Sequence, residues 1–144
     1  MKDGEIDIPE WWAVCQNGKC ELADGCLRYK AFEKIGMTVD KWTCVMPGAM
    51  SNGECRCFVK NEKVKIARGF DNMFAHVKRR GDRSALRNQL TDYLGSKGTY
   101  YRYKHGERLL SPEQQQWILD LFRRYGYTEN VDFDNFTFDY YFKR

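Results

Sequence analysis

A mainly α fold with minor β is what the sequence predicts, with a cysteine-rich N-terminal lobe packed on a helical bundle. Three observations carry that expectation. From Val64 onward, apolar residues recur at helical spacing in stretches that end at glycines. Period-two alternation is confined to "CRCFVK" and the C-terminal tail. All six cysteines fall within the first 57 of the 144 residues, in a turn-rich segment poor in core-forming stretches. The expected divisions are residues 1–58 for the cysteine lobe, 59–127 for the bundle and 128–144 for an aromatic, acidic strand or arm.

In the lobe the clearest helical piece is "LADGCLRYKAFEKIG", where Leu27, Ala31 and Ile35 recur every fourth residue and Gly36 offers a stop. Turn-forming "CQNGKC" and "MPGAMSNGEC" lie on either side, and the tryptophans of "EWW" staple the N-terminal arm to the core. The stretch "KIARGFDNMFAHVKRR" reads as a helix presenting Phe70, Phe74 and Val77 on one face. Its cations collect at the C-terminal end, where the helix dipole favours them. "DRSALRNQLTDYLG" follows, with Asp82 as candidate N-cap, a Leu86, Leu90 and Leu94 stripe and a stop at Gly95.

"SPEQQQWILDLFRRYG" has the fullest start signal: Ser111 as N-cap, Pro112 at the first helical position and Gln114 at the capping-box position. Trp117, Ile118, Leu121 and Phe122 form its apolar stripe. The tail alternates Phe136, Phe138, Tyr140 and Phe142 with mostly polar neighbours, as a half-buried strand or an extended arm would.

Charge is distributed unevenly. Residues 59–110 hold 13 Lys and Arg against five Asp and Glu, a net +8, whereas each flanking segment nets −2. A field clustered in this way steers polyanions toward it and gains from counterion release. No apolar run approaches the roughly 18 residues needed to span a bilayer, and "MKDGEIDIPEWW" lacks the apolar stretch of a secretory signal. A cytoplasmic protein without a membrane partner is therefore expected.

The cysteines are spaced C-x4-C-x5-C-x17-C-x10-C-x-C. In a reducing compartment such clustering points to a metal before a disulfide. Cys15, Cys20, Cys26 and Cys44 are the expected zinc ligands, with Cys55 or Cys57 as the substitute. The same four thiolates would serve an iron–sulfur cluster as a weaker alternative, and free or oxidised cysteines are the reading without a metal. A closed tetrathiolate site would be structural.

The segment "LTDYLGSKGTYYRYKHGERLLSPEQQQWILDLFRRYG" resembles the helix-turn-helix domains of the phage-repressor and Cro class. The matching residues are Leu90, Leu94, Gly95, Ser96, Thr99, Arg102, Gly106 and Arg108, followed by Ser111 and Pro112. The resemblance implies a supporting helix through Leu94, a turn at Gly95 and a DNA-reading helix capped by Ser96. Lys97, Thr99, Tyr101, Arg102 and Lys104 would meet the groove or its phosphates, with Lys78, Arg79, Arg80 and Arg83 as phosphate-directed support. The sequence departs from the pattern in its shorter turn, in Gly98 inside the reading helix and in its tyrosines. Either Tyr100 or Tyr103 must plug that helix into the core.

The whole chain, with its cysteine-rich front and its "YYRY…GERLLSPEQQ" rear, is also similar to a group of short uncharacterised bacterial proteins. The expected role is DNA binding, as a regulator or accessory factor, and as a homodimer because one reading helix covers a half-site. The alternatives are an adaptor that docks a protein partner and carries a structural zinc lobe, and an iron–sulfur redox protein. No enzyme is expected. The two histidines stand far from paired carboxylates, and no P-loop, GxGxxG or HExxH occurs.

Overall fold

Val64–Arg68 buries Ile66 and Ala67 and leaves Lys65 and Arg68 in solvent, and it is a strand rather than the start of a helix. In the computed structural model, which describes residues 7–143, the chain forms two compact units. One comprises the chain up to Lys63 together with the segment from Tyr140 onward, and the other is Val64–Asp139.

In the second unit, β3 (Val64–Arg68) pairs antiparallel with β4 (Asn135–Asp139), Val64 facing Asp139 and Arg68 facing Asn135. Gly69, at φ +68°, then turns the chain into a short α2, Asp71–Ala75. The long helix expected from Lys65 to Arg80 is thus a strand, a glycine reversal and little more than one helical turn. The fold is accordingly mixed α/β with two small antiparallel sheets, not a mainly α bundle. The misreading has a physical cause: the hydrogen bonds that make β3 a strand come from β4, far along the chain, and no local periodicity records them.

α2 begins under a borrowed cap. The Asp134 carboxylate, just ahead of β4, accepts the N–H groups of Asp71 at 3.2 Å and Asn72 at 2.7 Å. A Cβ on Gly69 would run into that same carboxylate.

α3 (Asp82–Leu94) follows Gly81, which sits at φ +88° and takes the N-cap position. Asp82 does not cap, because its carboxylate is engaged by Arg79 at 2.9 Å and by the Tyr127 hydroxyl at 2.7 Å. α3 buries Leu86 and Leu90 and ends at Gly95, φ +116°. α4 (Lys97–Lys104) is capped by Ser96, whose Oγ accepts the Thr99 N–H at 3.1 Å.

α5 (Pro112–Arg124) carries the full reciprocal box: Ser111 Oγ accepts from Gln114 N–H at 3.2 Å, and Gln114 Oε1 accepts from Ser111 N–H at 2.9 Å. Ile118, Leu121 and Phe122 enter the core, while Trp117 lies at its edge, stacked on Tyr93 at 3.7 Å. Buried Gln115 ties α5 to the sheet, its Nε2 donating to the carbonyls of Lys65 at 2.8 Å and Leu110 at 3.0 Å.

The first unit is built on α1 (Leu27–Ile35) and a minimal hairpin, β1 (Met50–Ser51) with β2 (Glu54–Cys55). Asn52 at φ +52° and Gly53 at φ +78° make the two-residue reversal, the backbone that Asn-Gly adopts at least cost. Of "CRCFVK" only Cys55 lies in β2; the rest turns away, and Lys60 bridges to Cys26. Trp12 anchors the core cluster of Ile8, Val14, Leu27 and Ala31. Its indole N–H donates to the Lys143 carbonyl at 2.9 Å, the Phe142 ring meets it edge-on at 4.9 Å, and the Arg28 guanidinium covers its face at 4.4 Å. Among the described residues, no helix is long and apolar enough to cross a membrane.

Replacing Gln115 with Leu removes its bonds to the carbonyls of Lys65 in β3 and Leu110 just before α5. Unfolding free energy should fall by about 1–3 kcal/mol, read from the urea midpoint. The exposed neighbour change Gln116→Leu should stay within about 0.5 kcal/mol.

Candidate nucleic-acid interface

α4 resolves the crowding of tyrosines in "TYYRYK". At 3.6 residues per turn, Tyr100 and Tyr103 fall on one side of the helix, and both are buried in the core of the second unit. Tyr100 packs against Phe70 with ring centroids 5.2 Å apart, and Tyr103 receives a hydrogen bond from Gln114 Nε2 at 3.3 Å. Burial pushes the Tyr100 phenol above its ordinary pKa, and the hydrogen-bonded Arg87 guanidinium pulls it partly back.

Two rows are left outside. Lys97, Tyr101 and Lys104 follow one another at i, i+4 and i+7, and Gly98 and Arg102 form the adjacent row. Lys97, Tyr101 and Arg102 are exposed, and the Tyr101 ring stacks with His105 at 6.1 Å. Lys104 is half-buried and paired with Asp71 at 3.2 Å. Thr99 is taken up by the cap: its N–H and its hydroxyl both bond to Ser96 Oγ, which leaves it turned toward the helix start.

Beside the first row lies an open groove of about 540 Å³. It is walled by Asp71 and Phe74 of α2, Arg83 and Arg87 of α3, and Tyr100, Tyr101 and Lys104 of α4. Three cations there face one carboxylate. Arg83 also donates to the Phe74 carbonyl at 3.1 Å, which fixes the wall. Arg87 was not singled out from the sequence, yet its position four residues after Arg83 places both on one face of α3.

The basic turn before α3 splits in role. Arg79 is tied to Asp82 and to the Tyr127 hydroxyl, and its guanidinium lies over the Tyr127 ring at 4.9 Å. Lys78 and Arg80 are exposed. The candidate contact set therefore divides into outward cations (Lys97, Arg102, Lys78, Arg80), groove cations (Arg83, Lys104) and Arg79, which is occupied in holding the turn.

The expected metal quartet is not brought together as a set. Cys15, Cys20 and Cys26 share the lining of one small cavity with Cys55 and Cys57, whereas Cys44 lines a different groove beside Phe32 and Trp42. All six thiols are free. Among the described residues, no group of three or more His, Cys, Asp or Glu side chains is placed so that it could hold a metal ion.

The tyrosines give a clean test of this partition. Tyr100→Ala should cost about 3–5 kcal/mol of stability, as emptying a buried ring position does. Tyr101→Ala should leave stability within about 0.5 kcal/mol of the parent. Chemical denaturation of the two variants checks both.

No curated protein and no solved structure matches the chain. The model of a family of unknown function, DUF6078, matches residues 1–142. With that match spanning nearly the whole sequence, the chain belongs to the DUF6078 family.

Proposed function

We propose that the protein binds duplex DNA through α4, in the manner of a helix-turn-helix reading helix, as a regulator or accessory factor. One observation carries the reading. Tyr100 and Tyr103 are the buried side chains of α4, while Lys97, Tyr101 and Arg102 are exposed, with Tyr101 at a groove walled also by Arg83, Arg87 and Lys104. Such a face offers phosphate-directed charge and one flat ring on a rigid element, the combination that backbone positioning and base contact require.

Gly98 adds support. A Cβ there would meet only Ser96 Oγ, at 4.0 Å, so packing does not demand a glycine. Glycine in a helix costs about 1 kcal/mol relative to alanine. What it provides is a bare backbone surface in the first turn of α4, where a phosphate strand can approach closely. A helix as short as α4 covers a half-site, so two copies on a two-fold symmetric site is the arrangement that fits regulation.

Fluorescence anisotropy with mixed-sequence duplex DNA across a salt series tests the reading. The logarithm of the affinity should fall linearly with the logarithm of salt concentration. Lys97→Ala and Arg102→Ala should each lower the slope by about 1. Tyr101→Ala should weaken binding without changing the slope. Absence of binding at low salt, or a slope unchanged in the Lys97→Ala/Arg102→Ala double variant, would sink the proposal.

A further inference from the structure

Cys15, Cys20, Cys26, Cys55 and Cys57 line one cavity of about 30 Å³ in the first unit. They arrive from separate stretches of backbone, most of them pinned in place. The Cys15 N–H donates to the Arg28 carbonyl at 3.1 Å. Cys26 is the extended residue just before α1, bridged to Lys60. Cys55 closes β2, and the Cys57 carbonyl accepts from Arg28 Nε at 2.6 Å.

Beside the thiols the walls include Asn17, Leu22, Arg28, Tyr29 and Phe58. Five sulfurs gathered in one cavity are the donor set that a soft-ligand cation takes. The unit also needs such a staple, since its core cluster rests on Ile8, Trp12, Val14, Leu27 and Ala31.

We infer that this cavity is a structural zinc site, with thiolates from Cys15, Cys20 and Cys26 and the fourth from Cys55 or Cys57. Binding Zn²⁺ releases the thiol protons to solvent and moves no electrons. Among the described residues no three such side chains are placed to hold an ion as they stand, so binding requires the thiols to turn toward one centre by changing χ1. Two neighbours suit the resulting anionic site. The Leu22 N–H already points to Cys20 Sγ at 3.4 Å, and the Arg28 side chain sits in the cavity wall with its positive charge. Cys44 is excluded by position: its thiol accepts from Gln16 Nε2 at 3.2 Å and faces the Trp42 carbonyl at 3.7 Å.

Metal analysis and zinc X-ray absorption on the full chain, purified in reducing buffer, provide the test. Stoichiometric zinc with four sulfur neighbours at about 2.3 Å is expected. Cys44→Ser should retain the zinc, and Cys26→Ser should lose it. Because Cys26→Ser removes a residue at the start of α1 and could unfold the lobe, a second measurement uses the chelator-stripped parent and Cys44→Ser refilled with Co²⁺. Both should show the same thiolate-to-cobalt charge-transfer bands. Zinc-free protein with all thiols reactive, a disulfide in the non-reduced peptide map, a brown iron–sulfur chromophore, or loss of the cobalt bands in Cys44→Ser would each overturn the assignment.

Discussion

The second unit depends on the pairing of β3 with β4, which joins its first residues to its last. Once Val64–Arg68 is held against Asn135–Asp139, Gly69 must reverse the chain and Asp134 arrives where its carboxylate can cap α2. Ala67 exchanges backbone bonds with Leu110 at 3.1 and 2.9 Å, and Gln115 binds the Lys65 carbonyl, so the α4–α5 connection is fixed to the same strand. The position of α2 in turn supplies Asp71 and Phe74 to the cationic groove. A small sheet thus fixes α2, the α4–α5 connection and α5, and α4 carries the proposed interface between them.

Within that frame, α4 divides its aromatic residues by angle. A buried phenol needs a hydrogen-bond partner, and Tyr100 and Tyr103 have Arg87 and Gln114 respectively. Tyr101 lies about 100° further round the helix and keeps its ring at the surface. The same division governs the cations. Those with a structural carboxylate or carbonyl within reach, Arg79, Arg83 and Lys104, help hold the fold. Lys97 and Arg102 are left facing solvent on a rigid helix, where a phosphate would find them already oriented.

The first unit solves a different problem. Its aromatic anchor, Trp12, spends its N–H on the Lys143 carbonyl and its face on Arg28, which reaches on to the carbonyls of Ala13 and Cys57, each at 2.6 Å. Arg28 is therefore the bridge between the apolar cluster and the cysteine-lined cavity. Loop, helix start and hairpin end are drawn around one void, and a metal at that point would link segments that share little apolar surface.

By itself the sequence determined the features that depend on neighbours a few residues apart. These are the capping box of α5, the Ser96 cap, the glycine stop after α3, and the Leu86 and Leu90 stripe. It also revealed the cationic middle segment and the crowding of cysteines into one lobe. Only the tertiary structure decided what depends on partners far along the chain. Residues 64–68 became a strand because β4 supplies their hydrogen bonds, Asp82 lost its capping role to Arg79 and Tyr127, and Arg87 came to line the groove alongside Tyr100. Spacing alone could not separate Cys44 from the other thiols, because loop length limits how far a cysteine can reach but not the direction in which it points.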